Sequence, residues 1–177
     1  MRLFIAIGFT PQVRSLFLLH QNRLRSCAPR GSFTAEENLH VTLAFLGEQD
    51  IGAVRELSSV VDGLDDSVFE IQFDHIGRFG GDIWWVGARK NIRLARLQRT
   101  LDRQLREARY QVDERPFTAH VTLARRCIVR DEQLSRSLCG PIPPIIACAT
   151  RVSLMESTRI GGRLTYIELH GHDLRCR

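Results

Sequence analysis

The pentapeptide His-Val-Thr-Leu-Ala occurs twice in this chain of 177 residues, once from His40 and again from His120. In each copy the second residue after the histidine is a threonine, Thr42 or Thr122. Imidazole, with a pKa of about 6.5, takes or gives a proton near neutral pH, and a hydroxyl donates to a charged oxygen. In-line displacement at a phosphodiester needs a base on one side of phosphorus and an acid on the other. The doubled motif therefore predicts a site for one phosphate, with chemistry that requires no metal ion.

The surrounding residues predict that the first motif lies on a β-strand. Apolar and β-branched residues fill positions 39–46, after a polar turn and before Gly47. Side chains at i and i+2 share one face of a strand, so His40 and Thr42 project together while Val41 faces the core. A single His-x-Thr is more often structural, because threonine is itself a good strand former. Two identical copies favour a functional pair of strands.

Hydrophobic periodicity divides the chain into alternating strands and helices. An opening strand at 3–9 is apolar on both faces, and Thr10-Pro11 then supplies a cap and a proline typical of a helix start. The predicted strands and hairpins cover 3–9, 39–46, 68–88, 120–124, 147–157 and 164–170, and the predicted helices cover 11–26, 51–63 and 92–109. Each half of this order contains one copy of the motif. Two related lobes that face each other across a groove are therefore expected.

The chain is basic, with a formal net charge of +5 and a pI of about 9.3, so an anionic partner is expected. Lys90 is the sole lysine among 25 basic residues, a bias that a GC-rich genome would also produce. A Walker-type nucleotide site needs serine or threonine directly after its lysine. Lys90 is followed by Asn-Ile-Arg, which excludes such a site. Four arginines share one face of the helix at 92–109, namely Arg96, Arg99, Arg103 and Arg106. A solvated face is the ordinary interpretation of this row, and an RNA-tracking surface is the alternative.

The cysteines and the hydropathy indicate the compartment. Five cysteines, an odd number, are scattered without a Cys-x-x-Cys pair, which argues against a disulfide framework and a structural zinc site. Apolar runs stay well below the ~18–20 residues that span a bilayer. We expect a cytoplasmic protein with no membrane partner.

The motifs and their flanks resemble a known family. The stretches NLHVTLAFLGE and PFTAHVTLAR, the opening RLFIAI strand and a GGR-x-x-Y hairpin ending at Tyr166 are similar to the 2H phosphoesterase superfamily. Within it they are most similar to the RNA 2′,3′-cyclic phosphodiesterases, also called bacterial 2′-5′ RNA ligases. This resemblance implies an α+β fold over residues 1–177, one domain of two pseudo-symmetric lobes. Each lobe would be an antiparallel sheet with flanking helices, with the active-site groove between them.

The resemblance also implies roles that the symmetry of the sequence alone does not assign. It implies hydrolysis of RNA 2′,3′-cyclic phosphate ends to 2′-phosphomonoesters, with His40 as proton donor to the departing 3′-oxygen and His120 as proton acceptor from water. Thr42 and Thr122 complete the predicted catalytic set. Arg125, two residues beyond the second His-x-Thr, is the predicted substrate-binding residue, and a surface ion pair is the alternative for it. The family often has proline before the second histidine, where this chain has Ala119, a departure that removes no catalytic group.

The expected enzyme is a cytoplasmic monomer without cofactor or metal, acting on RNA ends with a 2′,3′-cyclic phosphate, tRNA fragments included, and with 2′-5′ ligation as a side activity. Three alternatives stay open. A small cyclic nucleotide, such as the cyclic phosphate of ADP-ribose, could be the substrate. The chain could be a non-catalytic RNA-binding module. Finally, the chain could be a metal hydrolase in which the His-x-His pair of His170 and His172 ligates zinc, although the motif lacks a third ligand.

Overall fold

The fold consists of four α-helices and nine β-strands, seen in a computed structural model that describes residues 1–176. In chain order the elements are β1 (Arg2–Gly8), α1 (Pro11–Cys27), β2 (Ser32–Phe33), a 3₁₀ turn (Glu36–Asn38), β3 (His40–Glu48), α2 (Ala53–Asp62), β4 (Phe69–Phe79), β5 (Ile83–Ala88), α3 (Ile92–Glu107), β6 (His120–Arg125), α4 (Glu132–Leu138), β7 (Gly140–Ala149), β8 (Arg151–Ile160) and β9 (Arg163–Asp173).

The strands form two groups of four that meet at the motif strands. The order across the sheet is β7-β4-β5-β6-β3-β1-β8-β9, with the short β2 beside β6. Neighbouring strands pair antiparallel throughout. Between β3 and β6 the ladder reduces to a single pair, Val41 with Val121, so the two halves separate on either side of it. We call β3, β1, β8 and β9 the first lobe and β7, β4, β5 and β6 the second. The expected α+β fold of two antiparallel lobes is confirmed.

Hydrophobic residues on both faces of β1 hold the first lobe together. Leu3, Ile5 and Ile7 are at most 1% exposed, and Phe4 on the opposite face is 2% exposed, so β1 is the central strand that its sequence predicts. The helices begin as expected. The Thr10 hydroxyl accepts from the Val13 backbone N–H at 3.4 Å and caps α1. The leucines at three- and four-residue spacing on α3 are buried: Leu94, Leu97, Leu101 and Leu105.

The predicted strand at 147–157 is wrong, because it joins parts of two different strands across Thr150, which belongs to neither. Residues 147–149 end β7, and β8 begins at Arg151. Both α4 and most of β7 were missed at the sequence level, the latter because Pro141, Pro143 and Pro144 indicate a loop. Among the strands of residues 1–176, β7 pairs with β4 alone, so it lies at an edge of the sheet, where proline is tolerated because an outward-facing N–H has no partner to lose. Helix α4 begins at an Asp131 cap, whose carboxylate accepts from the Leu134 N–H at 3.0 Å.

Two further features concern the helices and the cysteines. Within residues 1–176, the helices lack either the length or the apolar character required to cross a bilayer. The five cysteines are free thiols.

Candidate active site

The antiparallel pairing of β3 with β6 brings the two motifs together. Val41 and Val121 lie opposite each other and are fully buried. In an antiparallel register, His40 and Thr122 therefore lie to one side of this pair and Thr42 and His120 to the other. A cavity of about 770 Å³ opens above them, and five residues predicted from the sequence line it together: His40, Thr42, His120, Thr122 and Arg125. We call this the motif cavity. Its volume lies in the ~300–1,000 Å³ range of ligand sites.

The two histidines are held by the same local contact. His40 Nδ1 lies 2.7 Å from the carbonyl oxygen of Asn38, and His120 Nδ1 lies 2.6 Å from that of Thr118. A carbonyl only accepts, so each Nδ1 carries the proton and donates it, and each neutral ring keeps a lone pair on Nε2. In His40 this Nε2 accepts from the Thr42 hydroxyl at 2.9 Å. Both imidazoles thus present Nε2 as the reactive nitrogen.

Aromatic side chains enclose each imidazole. The His40 ring packs against Tyr166, with ring centres 5.3 Å apart and an interplanar angle of 81°, and against Phe4 at 5.0 Å. The His120 ring packs in the same way against Phe79, at 5.0 Å and 86°, and lies 6.0 Å from the ring of Trp85. These contacts orient the ring planes and cover part of each ring. Each lobe thus surrounds its histidine with two aromatic residues.

This enclosure lowers the pKa of both histidines. Burial lowers the pKa of His40 to about 4, opposed by its hydrogen bond to Asn38 and assisted by the positive charges of His120 and Arg125. Burial also lowers the pKa of His120, again assisted by Arg125 and opposed by the Thr118 carbonyl. His40 is therefore neutral at pH 7 in the free protein. Because the surrounding charges are positive, an anion in the cavity would favour the protonated form of either ring.

Arg125 is exposed at the end of β6 and forms no ion pair within residues 1–176. The surface ion pair considered for it is absent from this part of the chain. Its guanidinium is close enough to lower the pKa of both histidines. A free arginine beside two imidazoles suits an anionic ligand, since its fork donates to two phosphate oxygens at once.

Asn38 is a site residue that the sequence reasoning missed. Its side chain is 4% exposed and donates to the Leu164 carbonyl at 2.9 Å, while its amide oxygen accepts from the Tyr166 N–H at 3.3 Å. Its own backbone carbonyl orients His40. Asn38 thus ties strand β9 to the first histidine and places Tyr166 against the imidazole. The sequence feature that could have identified Asn38 is its position two residues before the first motif, in the stretch Asn-Leu-His.

The two tryptophans of β5 have different surroundings. Trp84 is in the core and donates to the Cys127 carbonyl at 2.8 Å. Trp85 is 9% exposed and packs beside His120, a position that the sequence did not indicate. A Cβ on Gly77 would lie 2.3 Å from the Trp85 ring, so only glycine at that position lets the ring lie over β4.

His170 and His172 lie apart from the motif cavity. On β9 they face the end of α2, where Asp62 Oδ1 is 2.7 Å from His170 Nε2 and 3.6 Å from His172 Nδ1. Across residues 1–176, no group of three or more His, Cys, Asp or Glu side chains is arranged to hold a metal ion. The His-x-His pair thus contacts α2 and does not line the cavity.

Comparisons with known proteins agree with this arrangement. The family model described as the 2′-5′ RNA ligase superfamily matches residues 17–159, which include both motif strands. The RNA 2′,3′-cyclic phosphodiesterase of Escherichia coli K12 is 31% identical over 126 residues, 70% of this chain and 71% of that protein. The protein of the same name from Geobacillus stearothermophilus is 27% identical over 129 residues, 70% of this chain but 41% of that protein. The chain thus spans less than half of the Geobacillus relative.

The fold is shared with a solved structure across nearly its whole length. The crystal structure of E. coli LigT with 3′-AMP superimposes with a TM-score of 0.80 at 26% identity, covering 98% of this chain and 97% of that one. The family resemblance read from the two motifs is confirmed. With its family model matched over 17–159 and its two lobes superimposable on LigT, the chain belongs to the 2′-5′ RNA ligase superfamily.

Proposed function

We propose that this chain hydrolyses RNA 2′,3′-cyclic phosphate ends to 2′-phosphomonoesters, using two histidines and no metal ion. The observation that carries the proposal is the motif cavity, in which both His-x-Thr pairs meet and both rings present Nε2. The names of the E. coli and Geobacillus relatives support the reaction class.

In the proposed reaction His120 acts as the base. Its Nε2 lone pair takes a proton from water as the water oxygen forms a bond to phosphorus. The bond from phosphorus to the 3′-oxygen then breaks, and the electron pair leaves with that oxygen. His40, protonated on Nε2 in the complex, gives this proton to the 3′-oxygen. The net change is addition of one water across the P–O3′ bond, which leaves a 2′-phosphate and a free 3′-hydroxyl. Thr42 and Thr122 donate to the phosphoryl oxygens.

The low pKa of His40 is compatible with its role as an acid, because the substrate is an anion. Burial is the main cause of that low pKa; a phosphate placed between His40, His120 and Arg125 would bring a negative charge beside the imidazolium and offset the positive charges that add to the effect of burial. Binding of substrate therefore raises the pKa of His40, and the phosphate itself brings the acid into its protonated form.

This coupling predicts different pH profiles for kcat/KM and kcat. The profile of kcat/KM reports the free protein, where both histidine pKa values are below 6.5, whereas kcat reports the complex. We expect the alkaline limb of kcat, which marks loss of the His40 proton, to lie at higher pH than that of kcat/KM. Initial rates at saturating and subsaturating substrate between pH 4 and 9 would measure both limbs. Coincident limbs would contradict the proposed coupling.

Turnover in the presence of a chelator tests the proposed function. We expect a short RNA ending in a 2′,3′-cyclic phosphate to be hydrolysed at an undiminished rate in EDTA, and the cyclic phosphate of ADP-ribose to be a poorer substrate. Activity only after addition of zinc would support a metal hydrolase instead. Faster turnover of the ADP-ribose compound would support a small-nucleotide enzyme, and RNA binding without turnover of any substrate would support a binding module.

Three finer properties complete the proposal. Ligation would be the same displacement with a 5′-hydroxyl in place of water, which joins the ends through a 2′-5′ linkage and needs no nucleotide cofactor. A monomer suffices, because one chain supplies both motif strands to one cavity. Free thiols at all five cysteines fit the reducing cytoplasm, where tRNA fragments are candidate substrates.

A further inference from the structure

A second cavity of about 650 Å³ continues from the motif cavity. Six residues line both: Thr34, Asn38, Arg125, Arg159, Leu164 and Tyr166. Four arginines line the second cavity, which we call the arginine cavity: Arg125, Arg126, Arg159 and Arg163. The two cavities therefore form one groove, with the histidines in the first part and a concentration of positive charge in the second.

The arginines come from both lobes. Arg125 ends β6 in the second lobe, and Arg126 follows it with a backbone φ of 51°, a left-handed turn that directs the chain away from the strand. Arg159 and Arg163 belong to the tip of the β8–β9 hairpin in the first lobe, where Gly161 and Gly162 make the turn at positive φ. The groove between the lobes is thus bordered by guanidinium groups on both sides.

These four arginines are not neutralised by carboxylates. Within residues 1–176 none of them forms an ion pair, and Asp82 is the acidic residue among those that line the arginine cavity. The side chains of Arg126 and Arg159 donate to neutral oxygens. Arg126 donates to the Ser32 hydroxyl at 2.8 Å, and Arg159 donates to the Gly162 carbonyl at 2.9 Å. By contrast, Arg151 on the same lobe is paired with Glu168 and Asp173. The arginine cavity therefore carries positive charge that is not neutralised by ion pairs within residues 1–176, and it can bind an anion.

We propose that the arginine cavity binds the backbone phosphates upstream of the reactive end, so that the preferred substrate is an RNA oligonucleotide and not a cyclic mononucleotide. This inference rests on the proposed function. A 2′,3′-cyclic phosphate terminates a strand, so the remaining RNA leaves the motif cavity on one side only, through its 5′-linked phosphate. The groove continues toward Arg159 and Arg126, whose guanidinium groups can bind phosphate oxygens in pairs.

The double variant R126Q/R163Q tests this inference, because both residues line the arginine cavity but not the motif cavity. The matched control is R96Q/R99Q on the exposed face of α3, which removes the same charge at two positions that line neither cavity. For the parent protein we expect kcat/KM to be higher for a tetranucleotide with a cyclic phosphate end than for a nucleoside 2′,3′-cyclic monophosphate.

The variant is expected to lose roughly tenfold in kcat/KM on the tetranucleotide and to stay within about twofold of the parent on the mononucleotide. Its slope of log kcat/KM against log salt for the tetranucleotide should also be shallower by about one. Equal loss on both substrates, or equal loss by the control, would overturn the inference.

A binding measurement separates failure of this inference from failure of the proposed function. Fluorescence anisotropy with a labelled tetranucleotide 2′-phosphate reports the arginine cavity even if no substrate is turned over. Weaker binding by R126Q/R163Q than by R96Q/R99Q would support the cavity, and equal binding would contradict it. Absence of turnover by the parent on both cyclic substrates would count against the proposed reaction alone.

Discussion

Replacement of His120 by alanine is expected to lower kcat for cyclic phosphate hydrolysis by roughly 10²–10⁴-fold, and replacement of His40 by a similar factor. Each ring supplies a proton transfer that the other cannot replace, because each is held in position by its own carbonyl contact, from Asn38 or Thr118. Rates would be measured on a cyclic phosphate RNA with variants whose circular dichroism matches that of the parent. His20→Ala is the control, since His20 lies on α1 and does not line the motif cavity. Retention of most activity by either variant would contradict a two-histidine mechanism.

The two histidine variants should also differ from each other. If His40 is the acid, a substrate with sulfur in place of the 3′-oxygen should restore much of the activity of His40→Ala, because a thiolate leaves without a proton. The same substrate should leave His120→Ala inactive, since water would still lack its base. Rescue of His120→Ala instead would reverse the two roles.

Replacement of Thr122 by valine is expected to lower kcat by roughly 10²–10³-fold, with Thr42→Val lower by a comparable factor. Valine keeps the shape of threonine and its preference for strands, so the change removes a hydroxyl without removing a strand former. The loss follows from one fewer donor to the phosphoryl oxygens. Steady-state kinetics would measure it, with Thr→Ser at each position as the control that retains the hydroxyl. Valine variants as active as the serine variants would show that the hydroxyls do not act on the phosphate.

Only Thr42→Val should also move the pH profile. The Thr42 hydroxyl lies 2.9 Å from His40 Nε2 and donates to the neutral ring, whereas Thr122 forms no such bond with His120 within residues 1–176. Loss of this bond should change the pKa of His40 in the free protein and displace the kcat/KM profile along the pH axis. Identical profiles for Thr42→Val and Thr122→Val would contradict this assignment.

The motif strands could be predicted from the sequence because their information is local. A period of two places His40 and Thr42 on one face, and the repeat at His120 needs only one cross-strand pair to complete a site. Arg125 ends the strand that begins at His120, and this shared strand places it at the cavity. In these cases the sequence pattern that predicts a functional residue lies within a few positions of that residue.

The support of the site could not be predicted, because it depends on contacts between distant positions. Asn38 contacts strand β9 through two hydrogen bonds that no local pattern shows, one from the Tyr166 N–H, 128 positions away, and one to the Leu164 carbonyl. The arginine cavity likewise requires that the tip of the β8–β9 hairpin face the end of β6, which depends on how the lobes pack. Strand β7 was missed for a related reason, since its prolines are acceptable only at a sheet edge, and its place at that edge is a property of the whole sheet.

The position of the phosphate in the product tests the central claim most directly. The parent protein would be incubated, in EDTA, with an RNA that ends in a 2′,3′-cyclic phosphate, and the product compared with authentic 2′- and 3′-phosphate standards. If the two imidazoles act on opposite sides of phosphorus, with His40 beside the 3′-oxygen, the product is a 2′-phosphate alone. A 3′-phosphate, or a mixture of both, would contradict that geometry, because it would mean that the protein does not direct one proton to one leaving oxygen.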